Sequence, residues 1–216
     1  MENSDQLQQK VSLQSIRDTF YKCRDFEISN LWQRAIFLSA FLVLCFTMYG
    51  YLVSVLLKDT SDLSKIVMIS EIACGISLLG LAFSMIWIMM AKGSKAWYEV
   101  YERHICEIEA EEDLGIPEEY RMGAPCKPWG LDSNLFTKRA GKYSVSKLNI
   151  MIGMVLLLSW FVIFVIHYVS AIVCYAKMNI DCCLHVLILV FLPIIFLIIL
   201  ITSLCNVWAR SNSLKG

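Results

Sequence analysis

Four apolar stretches, separated by polar ones, set the plan of this chain. The longest covers residues 149–176 and reads NIMIGMVLLLSWFVIFVIHYVSAIVCYA, without a Lys, Arg, Asp or Glu. About 20 apolar residues cross a bilayer as a helix. A helix apolar on every side has no place in a small water-soluble core. Residues 35–57, 66–91 and 184–207 follow the same pattern. The expectation is an all-α, polytopic membrane protein with four transmembrane helices. Pro193 falls inside the fourth span and is expected to bend it.

The second span differs from the others. Ser70, Ala73, Ser77, Gly80 and Ser84 recur three or four residues apart and so share one helix face. Small side chains let helices approach closely, which drives association in lipid, so this face is a candidate for oligomer or pore contacts. Glu71 is the lone carboxylate inside a span. It either faces protein or water, or snorkels toward the nearby interface. Beyond Ala91 the sequence KGSKAWYEVYERHICEIEAEED contains no proline. The second span is therefore expected to continue as a helix into the aqueous phase, with Gly93 as a possible kink point. Trp97, Tyr101, Ile105 and Ile108 lie along one side of that extension and form an apolar seam. The seam requires a partner helix, from the same or another subunit. Glu99, Glu102, Arg103, Glu107, Glu109, Glu111 and Glu112 are expected to fill its solvated faces.

The N-terminal region repeats the amphipathic theme. Val11, Leu13, Ile16, Phe20, Cys23 and Phe26 recur at helical spacing. They predict a helix over about 11–28, lying on the membrane surface or packed on other cytosolic helices. Trp32 and Arg34 then mark the entry to the first span, as an interfacial aromatic and a snorkelling cation. Residues 115–130, GIPEEYRMGAPCKPWG, break regularity, and Ser144 or Ser146 is placed to cap the third span. The resulting division is an N-terminal cytosolic helix (1–34), a transmembrane hairpin (35–91), a cytosolic helix and loop (92–148), a second hairpin (149–207) and a tail (208–216).

Composition agrees with a membrane location and adds an orientation. The 216 residues are 57% hydrophobic and 18% charged, with no net charge. Bulk charge gives no reason to expect direct nucleic-acid binding. MENSDQLQQK lacks the basic and apolar regions of a signal peptide, so the spans themselves are expected to direct insertion. Of the 19 Lys and Arg residues, five lie in 1–34, nine in 92–148 and two in 208–216. The two short connections hold two and one. The positive-inside rule then places both termini and the central segment in the cytoplasm. Nine cysteines are present without a CxxC pair; Cys45, Cys74, Cys174 and Cys205 read as small core hydrophobes. Cys182 and Cys183 are adjacent and unsuited to mutual bonding.

Motifs of chemistry are missing. His104, His167 and His185 form no HExxH and no close acidic cluster, so no metal or other cofactor is expected. His167, within a span, reads as an interhelical hydrogen bonder. No GxSxG, Walker loop or GxGxxG occurs, and the chain is not expected to be an enzyme. Three stretches are distinctive: RDFEISNLWQR at 24–34, MAKGSKAWYEVYE at 90–102 and SVSKLNI at 144–150. They resemble the RipA-like family of octameric bacterial inner-membrane proteins. More remotely, the chain is similar to the pore-forming accessory membrane protein of type VI-B CRISPR systems. The resemblance implies a homo-octamer in the cytoplasmic membrane with a cytosolic vestibule, in a stress or defence setting. It supplies no catalytic residue. The expected partners are the lipid bilayer, further copies of the chain and, for the scaffold alternative, a cytosolic protein. The leading function is a homo-oligomeric pore or vestibule; the alternative is a non-conducting scaffold that recruits a cytosolic protein through residues 92–147.

Overall fold

The computed structural model describes residues 12–58, 62–122, 134, 141, 143–178, 193–196, 198, 199 and 202. Three long helices dominate: α1, Leu13–Lys58; α2, Leu63–Ala110; and α3, Val145–Met178. At 1.5 Å per residue, α1 and α2 are each about 70 Å long, roughly twice the thickness of the hydrocarbon core. All three helices are long and apolar enough to cross a membrane. No strand occurs among the described residues.

Local sequence accounts for the helix starts. The Ser12 hydroxyl accepts from Ser15 N–H at 3.2 Å, and its carbonyl from Ile16 N–H, which makes it the N-cap of α1. Asp62 repeats this for α2, accepting from Ser64 N–H at 2.9 Å and Ile66 N–H. Of the two candidate serines for α3, Ser144 holds the position before the helix, and its carbonyl accepts from Leu148 N–H. Lys58 and Lys177 lie in the last turns of α1 and α3, where the carbonyl ends favour a cation. After α2 the chain makes two short 3-10 turns, Glu112–Leu114 and Glu118–Tyr120. The second falls in the Pro/Gly stretch 115–130 expected to be irregular, and the first just precedes it, where the helix was expected to continue to Asp113.

One expectation falls mostly outside the described residues, and another needs correction. Three rather than four spanning helices occur among the described residues. The fourth expected span, 184–207, lies mostly outside them; Pro193, expected to bend it, is helical together with residues 194–196. The N-terminal helix is also not separate from the first span: α1 runs unbroken from Leu13 to Lys58. No Pro or Gly stands between Ser12 and Gly50 to interrupt it, so polar and apolar faces simply follow one another along a single helix. α2 likewise passes through Gly93 without a break.

The chain forms two compact units. One comprises Met1–Ile36 and Met89–Ile150; the other comprises Phe37–Ile88 and Met151–Gly216. The first is rich in charge and the second is apolar. In the apolar unit α2 is the central helix. Half of its most apolar window is buried (50%), against 11% for α1 and 22% for α3. α1 contributes one narrow face, Leu38, Leu42 and Cys45, and α3 contributes Gly153, Trp160, Phe164, His167, Ala171 and Cys174. Each set recurs at intervals of three, four or seven residues, the signature of one packed helix face.

Candidate functional site

In the polar unit the predicted seam finds its partner within the same chain. Phe20 of α1 packs against Tyr101 at 6.2 Å and stacks on His104 at 5.2 Å, while Trp97 stacks on Tyr101 at 6.1 Å. Ile105 is wholly buried; Trp97, Tyr101 and Ile108 are half-buried. The helices are antiparallel here. Tyr21 meets Glu109, Arg24 meets Glu102, and Arg34 meets Ser94, so partner numbers fall on α2 as they rise on α1. Leu13, Ile16, Phe20 and Cys23 are all half-buried, as their spacing requires. Phe26 is not part of this side: it is 64% exposed. Trp32 and Arg34 are both exposed, and Arg34 Nη1 donates to Ser94 Oγ at 3.4 Å.

Glu109 corrects the sequence reading. It was expected on a solvated face and is instead only 2% exposed. Its carboxylate accepts from the Tyr21 hydroxyl at 3.0 Å and from the Met122 amide, with Arg17 Nε at 3.8 Å. The Cys106 thiol meanwhile donates to the Met122 carbonyl at 3.0 Å. Two α2 side chains therefore fasten both backbone groups of Met122 and close the turn region over the end of α2. The signal for this in sequence was slight. Glu109 lies four residues beyond Ile105, on the seam side of the helix, but a run of acids around it suggests solvent.

The electrostatics of this unit follow from those contacts. Burial, and then the Glu109 hydrogen bond and charge, raise the Tyr21 hydroxyl above its ordinary value. Burial raises Tyr101, and burial with nearby Glu109 and Glu102 raises the Cys106 thiol. For Arg24, burial opposes the charge, but the hydrogen bond and charge of Glu102 at 2.9 Å outweigh it and hold the guanidinium above its usual value.

In the apolar unit the small-residue face is also occupied. Ser70, Ala73, Ser77 and Ser84 have no exposed surface. Ser77 and Ser84 donate back to the carbonyls of Ala73 and Gly80 at 2.6 and 2.7 Å, which satisfies each hydroxyl away from water. Gly80 lies directly beneath the Trp160 indole of α3, and a Cβ there would fall within the ring. The small face thus serves close approach inside one chain. Trp160 is fully buried, stacks near Phe46 of α1 at 4.3 Å, and is the residue that joins all three helices. Sequence reasoning passed over it, because one Trp in a long apolar run does not reveal whether it faces lipid or protein. Gly153 repeats the arrangement, with a Cβ there 2.7 Å from Ile88 Cγ1.

Two polar pairs join helices inside this unit, while Ser70 Oγ and Trp160 Nε1 are buried without a hydrogen-bond partner among the described residues. The Tyr175 hydroxyl donates to Glu71 Oε1 at 2.7 Å, so Glu71 faces protein. His167 Nε2 lies 3.3 Å from the Tyr49 hydroxyl, joining α3 to α1. That is the interhelical bond expected of it. Both pairs lie toward the end of the helices where α1 finishes and α2 begins. Cys45, Cys74 and Cys174 are buried free thiols. Searches of curated proteins and of solved structures found no match to the chain. A family model does match, over residues 15–169, which cover α1, α2 and most of α3. The chain, with its three long apolar helices, belongs to the octameric membrane protein family.

Proposed function

We propose that this protein assembles as a homo-octamer in the bacterial cytoplasmic membrane and forms a pore or vestibule, used in a stress or defence response. Both termini and residues 92–148 face the cytoplasm, in keeping with the distribution of Lys and Arg. The protein acts by assembly, without enzymatic chemistry. Family membership supports the octamer. The observation that carries the reading is the family match over residues 15–169, and Phe26, 64% exposed in the charged unit, is one side chain that a neighbouring copy would cover.

Conductance of the purified protein in planar bilayers tests the pore. Discrete current steps are expected from the octamer. An intact octamer that never conducts would replace the pore with the non-conducting scaffold, acting through residues 92–147.

A further inference from the structure

We propose that Arg34, Lys92 and Lys147 form a collar that binds the phosphodiester headgroups of acidic phospholipids. Each of the three long helices contributes one cation, and all three lie in the charged unit. Contacts between helices place them within about 9 Å of one another along the direction of α2. Arg34 of α1 reaches Ser94 of α2 at 3.4 Å, two residues from Lys92. Tyr98, one turn further along α2, donates to Ser146 of α3 at 2.6 Å, next to Lys147.

All three cations are exposed, and none makes an ion pair among the described residues. Their neighbours behave differently: Lys95 is taken by Glu99 at 2.7 Å and Arg24 by Glu102 at 2.9 Å. The sequence explains why. α1 has no acid between Glu27 and its end, α2 none between Glu71 and Glu99, and α3 none at all. Among the described residues the collar therefore has no internal counter-charge where each helix turns apolar. Trp32, 51% exposed and two residues before Arg34, is the kind of side chain that settles at headgroup depth.

A lipid phosphate fits these facts better than a soluble anion. The cations are exposed and stand on three separate helices, as contacts to separate lipids would require. A guanidinium matches a phosphodiester with two parallel hydrogen bonds, and each cation near an anionic surface strengthens binding about fivefold. Only residence in a bilayer is required, so failure of this inference would leave the octameric pore reading standing.

The test uses the purified full-length protein in detergent, with three probes: phosphatidylglycerol, phosphatidylcholine and inorganic phosphate. Thermal unfolding and native mass spectrometry report binding. Phosphatidylglycerol is expected to raise the unfolding midpoint and to stay bound in the gas phase. The triple variant R34Q/K92Q/K147Q should bind it roughly a hundredfold more weakly. The charge-keeping variant R34K/K92R/K147R should retain binding, and Lys58→Gln, at the other end of α1, should behave as the parent. An equal response to phosphatidylcholine would show a general lipid effect and overturn the proposal. An equal response to inorganic phosphate would assign the cations to a soluble anion and overturn it too. Full retention by the triple variant, or equal loss in Lys58→Gln, would place the lipid elsewhere.

Discussion

Glu109 shows how much a single side chain can hold in this molecule. Replacing it with Ala would remove the acceptor from the Tyr21 hydroxyl and the Met122 amide, both on half-buried residues. Leaving buried polar groups unpaired costs about 1–3 kcal/mol. Glu109→Ala is therefore expected to lower the thermal stability of the solubilised protein and to expose the turns after α2 to protease. Glu99→Ala, on the exposed face, should change neither. The raised values of Tyr21, Tyr101 and Cys106 add a pH dependence. Each group holds its proton more tightly when folded, so its contribution is complete below its ordinary value, 9.0 for Cys106 and 10.0 for the tyrosines. It is lost as pH rises through the folded value. The charged unit should loosen as pH rises above about 9, which helix content followed from about pH 8 to 11 would detect. Tyr21→Phe should blunt that loss.

At the scale of elements, α2 is the axis of both units. Its course was legible in sequence because nothing between Ile66 and Asp113 breaks a helix and the apolar seam continues past the span. The Trp97–Ile108 seam was legible for the same reason: period alone puts those side chains on one face. What period does not give is the partner. The small-residue face around Gly80 suggested contact between subunits, whereas its close neighbour is Trp160 of the same chain. The continuity of α1 was also hidden, because a change from amphipathic to apolar pattern reads as a boundary when the backbone has no reason to break. Gly80→Leu should force the indole aside, at a cost of about 1–3 kcal/mol for overpacking. It should reduce thermal stability before it alters subunit number. Trp160→Ala in the same background should restore part of the loss, since it removes the ring with which leucine collides. No recovery would show that Gly80 is held by something other than Trp160.

The whole molecule combines an apolar unit suited to lipid with a charged unit that leaves Phe26 uncovered. The orientation rests on basic residues and is open to direct labelling. Asp62→Cys, in a cysteine-free background, should react with an impermeant reagent from outside the cytoplasmic membrane; reaction from the cytoplasmic side alone would reverse the topology. Burying Phe26 between copies would remove apolar area worth about 1.5–3 kcal/mol per subunit, a term repeated around a ring. Phe26→Ser should therefore favour smaller species while leaving the spans inserted. The central claim, that eight copies of this chain form one membrane assembly, is tested most directly by electron microscopy of the detergent-solubilised protein viewed down the membrane normal. The account predicts class averages with eightfold symmetry. Particles that are monomeric, or that close with another symmetry, would contradict it.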